Sequence, residues 1–210
     1  MVTDYKKEYK DLYLPKTNPA VIDVPEMQFV AVEGKGNPNY ANGEYAKAIQ
    51  ILYSIQFTIK MSKMGNNKLN GYFDYVVPPL EGLWWFDGNE KIAPQDKSRY
   101  NWISMIRLPE FVDHDIFQWA CSEVMSKKNI ETENAKFLKI NEGLCVQCMH
   151  IGSYDNEPRT INLIDDFIGT NNLANDITEK RKHHEIYLSD PRRTAVEKLK
   201  TVIRIPVKIH

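Results

Sequence analysis

Apolar residues along the chain follow two periods. From Glu44 to about Met64, the residues Ala48, Ile51, Leu52, Ile55 and Ile59 recur at steps of three and four. That spacing predicts an amphipathic helix with one face on a core. The run Gly65-Asn66-Asn67 ends it. A second helix is expected over about 113–128, with Phe117, Cys121 and Met125 along one side, and a third in TINLIDDFIGTNN. Between them lie short runs rich in β-branched and aromatic residues, bounded by Gly and Pro: MQFVAVEG, GYFDYVV, LEGLWWF, YNWISMIRL, EGLCVQCMHIG, KHHEIYLSD and KLKTVIRIPVKI. Each reads as a strand, LEGLWWF alternatively as a sharp bend. In GYFDYVV, Phe73, Tyr75 and Val77 share one face. Pro15, Pro19 and Pro25 mark the first 26 residues as an arm leading to the first strand.

The order strand, loop, helix, strand, strand occurs twice. FVAVEGKGNPN ahead of the first helix and VQCMHIGSYDN ahead of the helix in the second half share an extended apolar run, a glycine and an Asn-bearing loop. The expected fold is α+β, built from two β-α-β-β modules. Module one covers about 27–108, a linking helix about 113–130, and module two about 137–210, all within one domain, 1–210.

Composition narrows the function classes. The 210 residues are 42% hydrophobic and 26% charged, ordinary for a folded globular chain. Twenty-seven basic residues stand against 28 acidic ones, so no global field attracts nucleic acid or an anionic membrane. The opening MVTDYKKEYKDLYLPK has no apolar stretch, and no later run has the length of a membrane span. Three cysteines, an odd number, suit a reducing compartment, and the cytoplasm is expected. Cys145 and Cys148 form a C-x-x-C, but residues three apart on a strand face opposite ways and no second pair exists. No metal and no cofactor are expected.

Two features carry candidate chemistry. In KHHEIYLSD, alternation puts His183, Glu185 and Tyr187 on one face and His184, Ile186 and Leu188 on the other. If the first face lines a cavity, a desolvated Glu185 carboxylate beside aromatic rings can act as counter-ion to a cation or as general base. The plainer alternative is a surface glutamate on an exposed strand face. Trp84, Trp85 and Trp102 lie in two neighbouring segments with Phe86 and Tyr100. Large aromatic faces suit flat or cationic ligands. Core packing is the alternative, although adjacent strand residues such as Trp84 and Trp85 cannot enter the same face.

Four stretches, FVAVEGKGNP, PPLEGLWW, WISMIRLPEFV and HHEIYLSDPRRTAVEKLKTVIRIPV, resemble the GyrI-like small-molecule-binding domain family over nearly the whole chain. The resemblance implies that the two modules are pseudo-symmetric and share an antiparallel sheet, with a ligand pocket that has Glu185 at its floor and a small aromatic or cationic organic molecule as partner. Glu81, in the corresponding place of module one, is expected to approach the same cleft. The candidate site is Glu185 and Tyr187 for chemistry, with Trp84, Trp85, Trp102, Tyr75, Phe73, Glu81 and His183 around the ligand. A stand-alone branch with an EGLWW stretch is associated with hydrolysis of cyclopropane-bearing DNA-alkylating natural products inside an aromatic cage. The alternatives are ligand binding without turnover and a protein-interaction module, such as one docking on a topoisomerase. No helix-turn-helix segment with a basic recognition helix is found.

Overall fold

The structure is a computed structural model and describes residues 2–64, 69–86 and 97–210. The predicted Gly65-Asn66-Asn67 helix stop and most of the polar loop after Phe86 lie outside the described residues. The arm holds two short helices, α1 (Tyr5–Glu8) and α2 (Lys10–Tyr13), and strand β1 (Ala20–Val24). The first module follows as β2 (Met27–Lys35), α3 (Glu44–Met61), β3 (Leu80–Trp85) and β4 (Asn101–Arg107). Helix α4 (His114–Lys128) and β5 (Ala135–Ile140) link it to β6 (Gly143–Ile151), α5 (Glu157–Thr170), the short β7 (Leu173–Asn175), β8 (His183–Tyr187) and β9 (Lys200–Ile209).

All strand pairs are antiparallel, and the sheet runs β1-β6-β9-β8-β3-β4-β2-β5, with β7 on the far end of β9. Read from either end, this order is one outer strand followed by the first, third and second strands of a module. The modules therefore meet at the β3–β8 pair, where Gly82 stands opposite Glu185 and Trp84 opposite His183.

The sheet has two covered faces, because alternate residues of the central strands are apolar on both sides. On the front, α3 and α4 bury Leu52, Ile55, Phe117 and Val124 against Val30, Trp102 and Ile106. Helix α5 buries Ile164 and Ile168 against Val146 and Ile203 on the same side. On the reverse face, the arm packs Tyr5, Leu12 and Tyr13 over Phe29, Leu83, Met105 and Ile186. Cys145 joins the reverse-face core and Cys148 the front, so the C-x-x-C is split across the sheet.

Buried charge holds the arm down. Arg204, fully buried on β9, donates to Glu142 Oε1 at 2.7 Å, to Gln147 Oε1 and to the Leu12 carbonyl at 2.9 Å. Gln147 donates to the Asp11 carbonyl. His184 stands between two carboxylates, its Nδ1 2.9 Å from Glu142 Oε2 and its Nε2 2.9 Å from Glu81 Oε2. Burial opposes its charge, but Glu142 and Glu81 outweigh that and raise its pKa to about 9. Burial likewise opposes ionisation of Glu142, yet His184 and Arg204 pull its pKa down to about 2. At neutral pH His184, Glu142 and Arg204 are therefore charged.

Three expectations need correction. GYFDYVV is not a strand: it makes one isolated bridge, Thr3 to Tyr75. Its polar groups are instead tied to the end of α3, with the Tyr72 hydroxyl on the Lys60 carbonyl at 2.8 Å and Asp74 paired to Lys60 and Lys63. The arm, expected as a plain lead-in, carries β1, which pairs with β6. Met125 is exposed, and Ala120 and Val124 take its place on the packed side of α4. Among the described residues, no helix is long and apolar enough to cross a membrane.

Candidate ligand cavity

A cavity of about 700 Å³ lies on the front of the β3–β8 seam, between α3 of one module and the start of α5 of the other. That is the size of a pocket for a drug-sized molecule. Because the seam is shared, each module supplies part of the lining. Strand β8 contributes His183, Glu185 and Tyr187 by alternation, while His184 and Ile186 face the reverse core.

Glu185 is fixed from both sides. The Tyr187 hydroxyl donates to its Oε2 at 2.7 Å, and His183 Nε2 lies 2.9 Å from its Oε1. Tyr187 is held in turn by the Trp84 indole N–H, which donates to its oxygen at 2.8 Å. This chain of contacts needs Gly82. A Cβ there would come within 2.6 Å of Trp84 Nε1, so only glycine lets the indole lie back over β3 to reach Tyr187. These two contacts hold the Glu185 carboxyl group in one orientation.

Aromatic side chains wall the cavity. Tyr45 from the first turn of α3 lies 5.5 Å from Trp84 between ring centres, and Tyr100 meets Trp84 edge-on at 5.4 Å. Tyr154 meets Tyr187 edge-on at 5.9 Å. Burial, then the negative charge of Glu185, pushes the Tyr100 hydroxyl up to about 12. Burial, followed by Glu157 and Glu185, does the same to Tyr154, also to about 12. The tyrosines are neutral hydrogen-bonding groups across the physiological range.

A second carboxyl faces the first. Glu157, at the start of α5, is buried and lines the cavity. Burial, and then the charge of Glu185 beside it, raises its pKa well above the usual carboxylate range. Its Oε1 is buried with no hydrogen-bond partner among the described residues. Burial and like charge thus favour a proton on Glu157 beside Glu185 in one aromatic enclosure, an arrangement suited to taking a proton at one atom and returning one at another.

Comparison with known proteins fits this geometry. The model of the GyrI-like small-molecule-binding domain matches residues 17–208, nearly the whole chain. The chain belongs to the GyrI-like family. A crystal structure of a hydrolase from Listeria innocua is 46% identical, with a TM-score of 0.89 over 98% of this chain and 100% of that one. An uncharacterised conserved protein from Listeria innocua is 47% identical, with a TM-score of 0.93 over the same shares. The EcmrR C-terminal domain shares the fold at a TM-score of 0.54 and 12% identity, over 92% of this chain and 98% of that one. No curated protein matches.

Of the residues expected around the ligand, this GyrI-like cavity gathers Trp84, His183, Glu185 and Tyr187. The other five stand elsewhere. Glu81 points to the reverse face, since residues 81, 83 and 85 of β3 alternate with 80, 82 and 84, and it pairs with His184 instead of Glu185. Trp85 follows the same parity, with the Lys182 ammonium over its ring at 4.9 Å. Trp102 sits behind the wall, edge-on to Tyr45 at 5.0 Å and lying across Gly34. Tyr75 is fully buried in the reverse core, and Phe73 packs on Phe111 at 5.2 Å. Sequence reasoning missed Tyr45, Tyr154 and Glu157. The GyrI-like symmetry offers one signal for them, because both helices start directly after the glycine-containing loop and so deliver their first residues to the seam.

Proposed function

We propose that the chain hydrolyses cyclopropane-containing DNA-alkylating natural products, with Glu185 activating water inside the cavity. The observation that carries this reading is the pairing of a doubly anchored Glu185 with a buried Glu157 carboxyl, its pKa raised by burial and by Glu185, among aromatic rings. The likeness to a Listeria hydrolase along almost the full length of both chains supports it.

In such a substrate a strained three-membered ring is conjugated to a carbonyl. Glu185 takes a proton from water as the water oxygen bonds to a ring carbon. One carbon–carbon bond of the ring breaks, and its electron pair flows to the carbonyl oxygen. Glu157 supplies the proton that this oxygen then needs, and the proton gained by Glu185 returns to Glu157 after release. The sum is substrate plus water, giving the ring-opened alcohol. With the Tyr187 hydroxyl on Glu185 and the Trp84 N–H on Tyr187, both donors orient the base. The flat substrate stacks among Tyr45, Trp84 and Tyr100. Three buried free thiols are in keeping with a reducing cytoplasm as the setting.

The test mixes purified protein with a cyclopropane-bearing alkylator and follows addition of one water by mass spectrometry. The wild type should convert it, and Glu185→Gln should be slower by about 10²- to 10⁴-fold, the usual worth of a general base. Unchanged compound, or equal rates for the two proteins, would overturn the hydrolase reading. Compound bound but unchanged would instead support sequestration, the reading favoured by the family's small-molecule-binding character.

A further inference from the structure

Helix α5 begins in an unfavourable place. Burial and the charges of Glu185 and Asp155 all oppose a charge on Glu157, with Lys97 acting the other way. Hydration and like-charge repulsion therefore both favour swinging the first turn of α5 out into water. Little in the helix itself resists this. Among the described residues, Asn156 makes no side-chain cap, and the Lys97–Asp155 pair at 2.8 Å has an exposed carboxylate, a kind of pair that contributes little.

What grips the segment is His150, buried near the end of β6. Its Nε2 lies 2.9 Å from the Ser153 carbonyl, and its Nδ1 lies 2.8 Å from the Thr160 hydroxyl. A carbonyl oxygen only accepts, so Nε2 carries a hydrogen and donates it; in that tautomer Nδ1 accepts from Thr160. One imidazole thus joins the residue before Tyr154 to a buried threonine one helical turn beyond Glu157, on the same face of α5.

The other module shows that packing alone does not call for a histidine here. His150 stands two residues before Gly152. Two residues before Gly34, in the corresponding strand β2, stands Val32, buried in the core under α3. An apolar contact suffices to seat the helix that brings Tyr45 to the cavity. The helix that brings an acid is seated by two directional bonds. His150 also shares a row with the base: it is paired with Thr201 across β6 and β9, and Thr201 with Tyr187 across β9 and β8.

We propose that His150 is a positioning residue for the carboxyl pair: by bridging Ser153 and Thr160 it keeps the first turn of α5 against the seam, with Glu157 beside Glu185. This rests on the chemistry proposed above and adds to it a side chain that stands outside the cavity lining.

Carbon-13 titration of the Glu157 side-chain carboxyl tests the role without requiring turnover. His150→Phe keeps a ring and removes both bonds, Thr160→Val keeps the shape and removes one, and Thr160→Ser keeps the hydroxyl. Glu157 should lose its proton at least about one pH unit lower in His150→Phe and Thr160→Val than in wild type, a tenfold change in proton affinity, because a loosened turn admits water and parts the two carboxyls. Thr160→Ser should titrate as wild type does. Turnover of the alkylator should fall about tenfold in the two loosened variants. An unshifted Glu157 in both, even with lowered melting temperatures, would overturn the positioning role and leave a purely structural clamp. If His150→Phe does not fold, Thr160→Val decides. A shifted Glu157 in the variants, with no conversion of the alkylator by wild type, would overturn the hydrolysis and leave the positioning role standing.

Discussion

The two faces of the β3–β8 seam treat glutamate in opposite ways. Behind it, Glu142 is buried, yet its pKa falls to about 2 because His184 and Arg204 lie against it. In front, Glu157 is buried to a similar degree and its pKa rises well above the usual range, because burial is reinforced by the charge of Glu185. Burial pushes both carboxyls upward, and the sign of the neighbouring charge decides whether that push is reversed or reinforced. The reverse cluster is thereby a structural fastening, and the front pair a reservoir for one proton. One strand serves both, since alternation along β8 sends His184 backwards and Glu185 forwards.

Breaking the fastening should have the largest effect. Arg204→Met leaves Glu142 with a single counter-ion and releases the Leu12 carbonyl. Removing one partner of a buried pair costs about 3–5 kcal/mol. Thermal unfolding should show a melting temperature lower by roughly 10 °C for a chain of this size.

Next comes pH. His184 has a folded pKa of about 9 against an ordinary 6.5, so its contribution is full below pH 6.5 and drains away as pH rises to 9. Glu142, at about 2 against 4.5, contributes fully above pH 4.5 and loses that as pH falls to 2. Denaturant unfolding should show a plateau between these limits and a loss on the order of 3 kcal/mol on either side, counted once for the coupled pair. His184→Gln should flatten the alkaline limb.

The front pair should respond in the opposite direction. A carboxyl with a raised folded pKa makes the protein lose stability as pH climbs above 4.5, because the unfolded chain ionises first. Glu157→Gln should therefore be more stable than wild type at neutral pH by about 1 kcal/mol, a typical gain on relieving a functional site. That gap should close below pH 4.5. Denaturant curves at acid and neutral pH measure it, and the same variant should turn over the alkylator more slowly.

The smallest change is Gly82→Ala. The added methyl displaces the Trp84 indole and breaks its bond to Tyr187. A loss of about 1 kcal/mol is expected, with a shifted tryptophan emission and a Glu185 less well oriented for catalysis.

Much of this contrast was legible in the residues themselves. The helical period of α3 and the alternation of KHHEIY separated the faces of both elements, and His183, Glu185 and Tyr187 fell together as alternation requires. The same parity in LEGLWW already divides Glu81 from Trp84, so a strict period-two reading keeps only one of them at the cavity. What periodicity does not carry is which distant segments close over a surface. Glu157 looks like any acidic residue at a helix start, a position that favours it for dipole reasons. Only the meeting of two modules buries it beside Glu185. Nor does GYFDYVV reveal that Lys60 and Lys63 would hold Asp74 away from a sheet neighbour. Arg204 and Glu142 are hidden for the same reason, each meaningful only once β9, the Glu142 turn and the arm converge.

Carbon-13 NMR of the glutamate side-chain carboxyls, titrated from acid to neutral pH and assigned with Glu157→Gln and Glu142→Gln, addresses the opposition of the two faces directly. The account predicts that the Glu142 signal stays ionised down to about pH 2, while the Glu157 signal keeps its proton well past pH 4.5, where exposed glutamates have lost theirs. Both signals titrating together near pH 4.5 would contradict it.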